Sequence, residues 1–484
     1  MTIDSFAYPE TPASATCDFM FGVPVPDPYR WLENASAPEV QAWMAAQDGR
    51  ARAWLERLPG REALTARMTE LLYVNALGTP IRRGGRYFYL HSHADREKAV
   101  LCWREGEGQE ERVLIDPNTL STDGSVALGI YVPSRDGRLL AYSLRPNNAD
   151  EATLYVMEVD TGRVSTIDVI AGAKYAHPIW TPEGDGFYYV YLPLGPDISV
   201  AERPGFAEIR YHRIGTPASD DVKVHDRTGN PQIFLGVELS WEGRWLVIVH
   251  QHGWNSTDLY VRDLQNPGSP LRTLVEGGQA AYRLIPWKDH FYILTDEGAS
   301  RYRLLMTPTD RLERAAWIEL VPEAEDAVLE DVRILGGHLI LTWMHQVSHM
   351  LEVRTLEGAL VHRVPLPEIG TLTALTGTPD EDEAWFGFNS FLRPTEIYQT
   401  SIATGYTVLW SASTRPIDPT PYLVECLTYP SRDGTQISMF VVRRRDMPKD
   451  GSTPFLMYGY GGFNVSLTPG FTAGLYPWLE AGGG

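Results

Sequence analysis

The sequence predicts a mainly β chain: a seven-bladed β-propeller, preceded by a helical segment and followed by the first strands of an α/β domain. Three observations carry this. Short strand-like runs separated by glycine-bearing turns continue from about Tyr73 to about Arg415. One hairpin pattern recurs at 133–142 (PSRDGRLLAY), 181–190 (TPEGDGFYYV) and 239–248 (LSWEGRWLVI). Beyond that region, the apolar run Phe455–Tyr458 opens into a loop, Gly459-Tyr-Gly-Gly-Phe-Asn464, as a buried strand does when it delivers polar groups to a cleft.

The elements follow in order. Residues 1–73 begin extended, with Pro24, Pro26 and Pro28, and run through Asp27-Pro-Tyr-Arg-Trp-Leu-Glu33. Ser36-Ala-Pro-Glu39 has the form of a capping box with proline in the first turn. Val40, Trp43, Met44, Ala51, Trp54, Leu55 and Leu58 then recur at helical spacing, Pro59-Gly60 ends the helix, and Leu64 to Leu72 starts another. Residues 74–415 read as strands, among them Arg86–Leu90, Leu139–Tyr142, Thr153–Val156, Gly186–Val190, Trp245–Val249 and Phe291–Leu294. Repeats of about 45–50 residues with about four strands each are a propeller signature, and a span of about 340 residues holds about seven of them.

Arg415-Pro-Ile-Asp-Pro-Thr-Pro421 reads as a stiff linker. Residues 416–484 then open a further domain. Leu423–Tyr429 and Gln436–Val442 form two strands joined by Ser431–Gly434, and Phe455–Tyr458 forms a third, apolar on both faces as in buried parallel sheets. Ala473–Ala481 is a candidate helix with Pro477 in its interior. Without later neighbours the third strand would leave an apolar edge exposed, so residues beyond about 421 are expected to pack poorly and proteolysis to cut near Arg415–Pro421.

Composition narrows the function classes. A net charge of -20 opposes binding to nucleic acid or anionic lipid, and the triplet Arg443-Arg-Arg445 reads as a solvated strand end. Cys17, Cys102 and Cys426 are scattered, which indicates neither a disulfide framework nor a zinc site. The N-terminus lacks a signal-peptide pattern and no apolar stretch approaches membrane-spanning length. A cytoplasmic monomer with no nucleic acid or membrane partner, no metal and no cofactor is expected.

Asp27-Pro-Tyr-Arg-Trp-Leu-Glu33, a helix, a propeller and then Tyr458-Gly-Tyr-Gly-Gly-Phe-Asn464, in that order, resemble the prolyl oligopeptidase family of serine peptidases. The loop sequence Gly-Gly-Phe-Asn, with no acidic cluster near it, resembles the proline-specific branch. The resemblance implies that residues 1–73 pack on an α/β-hydrolase domain, that the propeller is inserted into that domain, and that short peptides are cleaved after proline. It implies that Tyr460 donates to the oxyanion and that Phe463 lines the pocket for the substrate's ring. A phenol stays protonated at neutral pH and can aim one donor at developing negative charge. The nucleophile of such a fold needs a G-x-S-x-G elbow, and the 484 residues contain none. The family's Ser, Asp and His follow the tyrosine-rich loop, so the chain reads as C-terminally truncated and inactive by itself.

Other groups carry weaker signals. His91 and His93 share one strand face and His345 and His349 are four apart, but neither pair has the Glu or third ligand that a zinc site needs, which argues against metal. Glu381-Asp-Glu383 could supply paired carboxylates for glycoside hydrolysis, although a solvated turn is the simpler reading. A non-catalytic propeller binding module with a hydrolase remnant is the main alternative to the peptidase.

Overall fold

The computed structural model describes residues 8–484 except 196, 267, 415, 416 and 464, and the side chain of Asn148. The first two linker residues, Arg415 and Pro416, and the last residue of the aromatic loop, Asn464, therefore lie outside the described residues. The chain divides into two compact units, residues 1–72 and 73–484.

In the first unit, a hairpin of Cys17–Met20 and Val23–Pro26 leads through a 3-10 turn, Arg30–Glu33, into helices Pro38–Leu55 and Arg61–Leu72. The Asp27–Glu33 motif is a clamp. Arg30 bonds Asp27 at 2.9 Å and Asp18 across the hairpin at 2.9 Å, while the Trp31 ring meets Trp43 edge-on at 6.4 Å. The expected capping box does not form: Ala37 is the N-cap and the Ser36 hydroxyl donates to Asn34 instead. Of the predicted apolar stripe only Val40 is buried, and Met44, Trp54, Leu55 and Leu58 are exposed.

The second unit is built on seven antiparallel sheets, at 76–115, 127–170, 179–225, 233–275, 282–321, 327–364 and 371–412, here blades 1 to 7. Strand order within each blade follows the sequence, and blade 1 carries one extra short strand, Ile81–Arg83. The recurring hairpin of the sequence joins the first two strands of blades 2, 3 and 4. Its glycines adopt φ of +70° (Gly137), +71° (Gly184) and +79° (Gly243), which explains their fixed place. In blades 2 and 4 a serine caps the returning strand: Leu139 N–H donates to Ser134 at 3.0 Å and Trp245 N–H to Ser240 at 2.9 Å.

Each blade presents alternate large side chains to the next, so the core is divided among the junctions rather than gathered at one centre. Trp245, Val247 and Leu259 of blade 4 pack on Leu284, Phe291 and Ile293 of blade 5, and Tyr292 and Leu304 of blade 5 on Leu329 and Trp343 of blade 6. The junction of blade 7 with blade 1 is different. Among the described residues its core has six buried members (Tyr87, Tyr89, Val100, Cys102, Trp385 and Ile397), against eight to twelve elsewhere. Polar links complete it: Arg82 pairs with Glu381 at 2.6 Å, Thr414 N–H donates to the Asn75 carbonyl at 3.1 Å, and the Thr376 hydroxyl to the Pro80 carbonyl at 2.7 Å. Replacing Thr376 with valine should lower unfolding stability by about 1 kcal/mol, because it removes that bond without changing shape. Urea unfolding of the variant checks this, and an unchanged midpoint would show that the bond contributes nothing to closure.

Beyond the ring, Tyr422–Pro430 pairs with Gln436–Arg444 as expected. The third predicted strand is not formed. Residues 455–458 have no regular structure, and Met457 is 87% exposed. A central strand of a parallel sheet needs a partner on each side, and here the segment bonds only at its start: Leu456 N–H to the Gly484 carbonyl at 2.9 Å and Gly484 N–H to the Pro454 carbonyl at 3.1 Å. Its apolarity is therefore left uncovered. The candidate helix is a 3-10 turn, Ala473–Leu475, followed by Tyr476–Glu480. Pro477 lies in its first turn, where the missing N–H costs nothing, not in its interior. Buried Tyr476 anchors this end to the ring by donating to the Phe391 carbonyl at 2.9 Å.

Candidate active-site loop

The two sequence-predicted site residues lie together on the exposed loop at 459–463. The rings of Tyr460 and Phe463 are 6.5 Å apart and half or more exposed. Gly461 and Phe463 both have positive φ, +66° and +53°. An aromatic residue rarely accepts that conformation, although Phe21 and Tyr302 also adopt it here. Phe463 is turned toward the propeller, where its ring stands 5.6 Å from that of Trp254. Trp254 is 65% exposed at the tip of the hairpin joining Trp245–His252 and Ser256–Asp263 in blade 4. The loop therefore offers one phenolic donor beside an apolar surface made of two rings, one from each side.

Sequence reasoning missed Trp254. The available signal was a large aromatic at a turn tip, His252-Gly-Trp-Asn255, where small polar residues are usual.

The other candidates resolve into structural roles. Buried His212 bonds Asp221 at 2.7 Å and Asp168 at 3.0 Å, and Ser165 donates to Asp168. These are the residue types of a catalytic triad, but the serine meets the carboxylate and not the imidazole, so it has no base. Burial disfavours charge on His212, and its hydrogen bonds to the Asp221 and Asp168 carboxylates, which accept them, outweigh it, raising the imidazole's pKa. In the acidic cluster, Glu381 pairs with Arg82, Asp382 accepts from Ser401 and the Ala403 N–H, and Glu383 accepts from Gln399. The arginine triplet is likewise paired, through Glu425, Asp446 and the Thr420 carbonyl. His345 pairs with Asp326. His349 spends one nitrogen on Glu330 and the other on the Leu372 N–H.

One expectation is corrected. His91 and His93, whose rings lie 3.9 Å apart, do have a third potential ligand, because Glu111 reaches back to His91 Nδ1 at 2.9 Å. The same carboxylate accepts from the Tyr89 hydroxyl at 2.9 Å and lies beside the Cys102 thiol. Burial, reinforced by Glu111, pushes that thiol up to about 12, so it is no nucleophile at neutral pH.

Comparison with known proteins matches residues 9–413 to the N-terminal β-propeller domain of prolyl oligopeptidase. The prolyl endopeptidase of Elizabethkingia meningoseptica is 25% identical over 480 residues, covering 98% of this chain and 67% of that protein. The dual function macrocyclase-peptidase POPB of Amanita bisporigera is 25% identical over 494 residues, covering 95% of this chain and 67% of that protein. A solved prolyl endopeptidase structure shares 48% identity with a TM-score of 0.95, covering 99% of this chain and 70% of the other. The chain thus spans about two thirds of the length of the curated relatives it matches.

Proposed function

Since this chain belongs to the prolyl oligopeptidase family, we propose that it is the propeller-bearing part of a serine endopeptidase that cleaves short peptides on the carboxyl side of proline. The nucleophile, base and orienting carboxylate are then carried by the third of the relatives' length that these 484 residues do not span, and the 484 residues alone are inactive. Residues 1–73 act as a segment packing on the hydrolase domain that residues 416–484 begin, and the ring at 74–415 restricts entry to peptides short enough to pass.

The observation that carries this reading is the contact of Phe463 with Trp254. It places a strained aromatic loop against a propeller turn, as a cleft shared by peptidase and propeller requires. Tyr460 supplies an oxyanion donor, and Phe463 with Trp254 the apolar wall for the proline ring. Serine attack, histidine base catalysis and orientation by aspartate follow in the complete enzyme.

A chromogenic proline-containing peptide tests both halves. The 484-residue chain should release no chromophore, and a chain extended through a G-x-S-x-G region should release it only from peptides with proline at the cleavage position. Turnover by the 484 residues would overturn the division of the site. Silence of the extended chain toward every such peptide would favour a non-catalytic binding module.

A further inference from the structure

We propose that His91, His93 and Glu111 form a divalent transition-metal site that fastens the outer half of blade 1 beside its junction with blade 7. The three donors come from separate parts of the blade: the end of strand Arg86–Ser92, the turn just after it, and the residue preceding strand Arg112–Ile115. One ligand atom from each lies within 4.8 Å of the other two, the only such group of three or more among the described residues.

Two imidazoles and one carboxylate are a zinc donor set that leaves a fourth position for water. Tetrahedral donors at about 2.1 Å from zinc stand about 3.4 Å apart, so closure asks for movements of roughly 1 Å in partly exposed side chains. The side chains of His91 and Glu111 are 22% and 30% exposed, enough for an ion to enter from solvent. The supporting shell is in place. Tyr89 donates to Glu111 Oε2 at 2.9 Å and holds the carboxylate, and the neighbouring cation Arg96 is taken up by Asp116 at 2.8 Å. Outer partners of this kind fix ligand orientation and tune affinity.

The location gives the site a structural purpose. Tyr89, which anchors Glu111, is also a core member of the junction between blades 1 and 7, packed with Trp385, Ile397 and Trp410. An ion bound by the three ligands would add a coordinate link to strands now joined by antiparallel pairing and by the Tyr89 and His91 bonds to Glu111, at the ring junction with the smallest buried core among the described residues. The proposal is independent of the peptidase reading, because it needs no catalytic residue.

The test is titration of the reduced 484-residue chain with Co2+ and then Zn2+. One equivalent of Co2+ should give the visible absorption of a four- or five-coordinate site, Zn2+ should displace it, and Zn2+ should raise Tm. His93→Ala should weaken binding by at least about 10-fold, the lower end of what loss of even an outer-shell partner costs, and abolish the zinc-dependent rise in Tm. His345→Ala, a histidine outside the group, should change neither. Should Glu111→Gln fold poorly, His93→Ala still decides, since His93 is partly exposed and its removal leaves the Tyr89 and His91 bonds to Glu111 in place. Absence of a saturable equivalent, or binding equally strong in His93→Ala, overturns the proposal.

Discussion

In the proposed peptidase, extended through a G-x-S-x-G region, Tyr460→Phe should lower kcat by about 100- to 1,000-fold, equivalent to about 2.7–4 kcal/mol of lost transition-state stabilisation. The substitution removes one oxygen and keeps the ring, so the packing of residue 460 near Phe463, with centroids 6.5 Å apart, is preserved. A donor aimed at the oxyanion acts on charge that develops only during reaction, so KM should hardly move. Steady-state kinetics on a chromogenic peptide separates the two constants. Loss in KM alone would make Tyr460 a binding residue, and unchanged kcat would remove it from the oxyanion hole.

His212→Ala should cost about 3–5 kcal/mol of stability, the range for breaking a buried ion pair by deleting one partner. His212 and Asp221 have side-chain exposures of 0% and Asp168 of 4%. Removing the imidazole leaves two carboxylates buried, supported only by Tyr189, Ser165 and the Gly215 N–H. The network also joins blades, since Asp168 lies on the last strand of blade 2 and His212 in blade 3. Its pH dependence has a definite sign. The folded pKa of His212 is raised, so its contribution is fully present below the unfolded value of about 6.5 and is lost as pH climbs through the folded value. Urea unfolding should show stability falling on the alkaline side of that point, and His212→Ala should remove this component. His225 provides an internal contrast. Burial and His250 lower it to about 4, so its contribution is lost in the opposite direction, as pH drops below the ordinary histidine range. A His212→Ala variant as stable as the parent would show that the triad contributes no net stability.

Much of the ring was legible because its information is local. Turn glycines at 137, 184 and 243, each followed within three residues by an apolar run, mark hairpins whatever surrounds them. Groups assembled across strands were not. Glu111 meets His91 from 20 positions away, across an intervening strand, and Asp168 meets His212 from 44. The strand expected at Phe455–Tyr458 failed for a related reason. Apolarity records the burial a segment is suited to, and only neighbouring strands can supply it. Tyr460 and Phe463 were legible through motif, whereas Trp254 is visible only once the loop and the blade 4 hairpin meet.

The way the ring closes has a consequence for how it yields. At six junctions, neighbouring blades are tethered by the polypeptide as well as by contact, so after separation they remain at high effective concentration and re-form quickly. Between blades 7 and 1 no peptide link runs directly, and the tether is the whole circumference. Spontaneous breathing should therefore concentrate there. A permuted chain, with 412 joined to 76 and new ends cut between blades 3 and 4, would carry the weak point round to the opposite side of the circle.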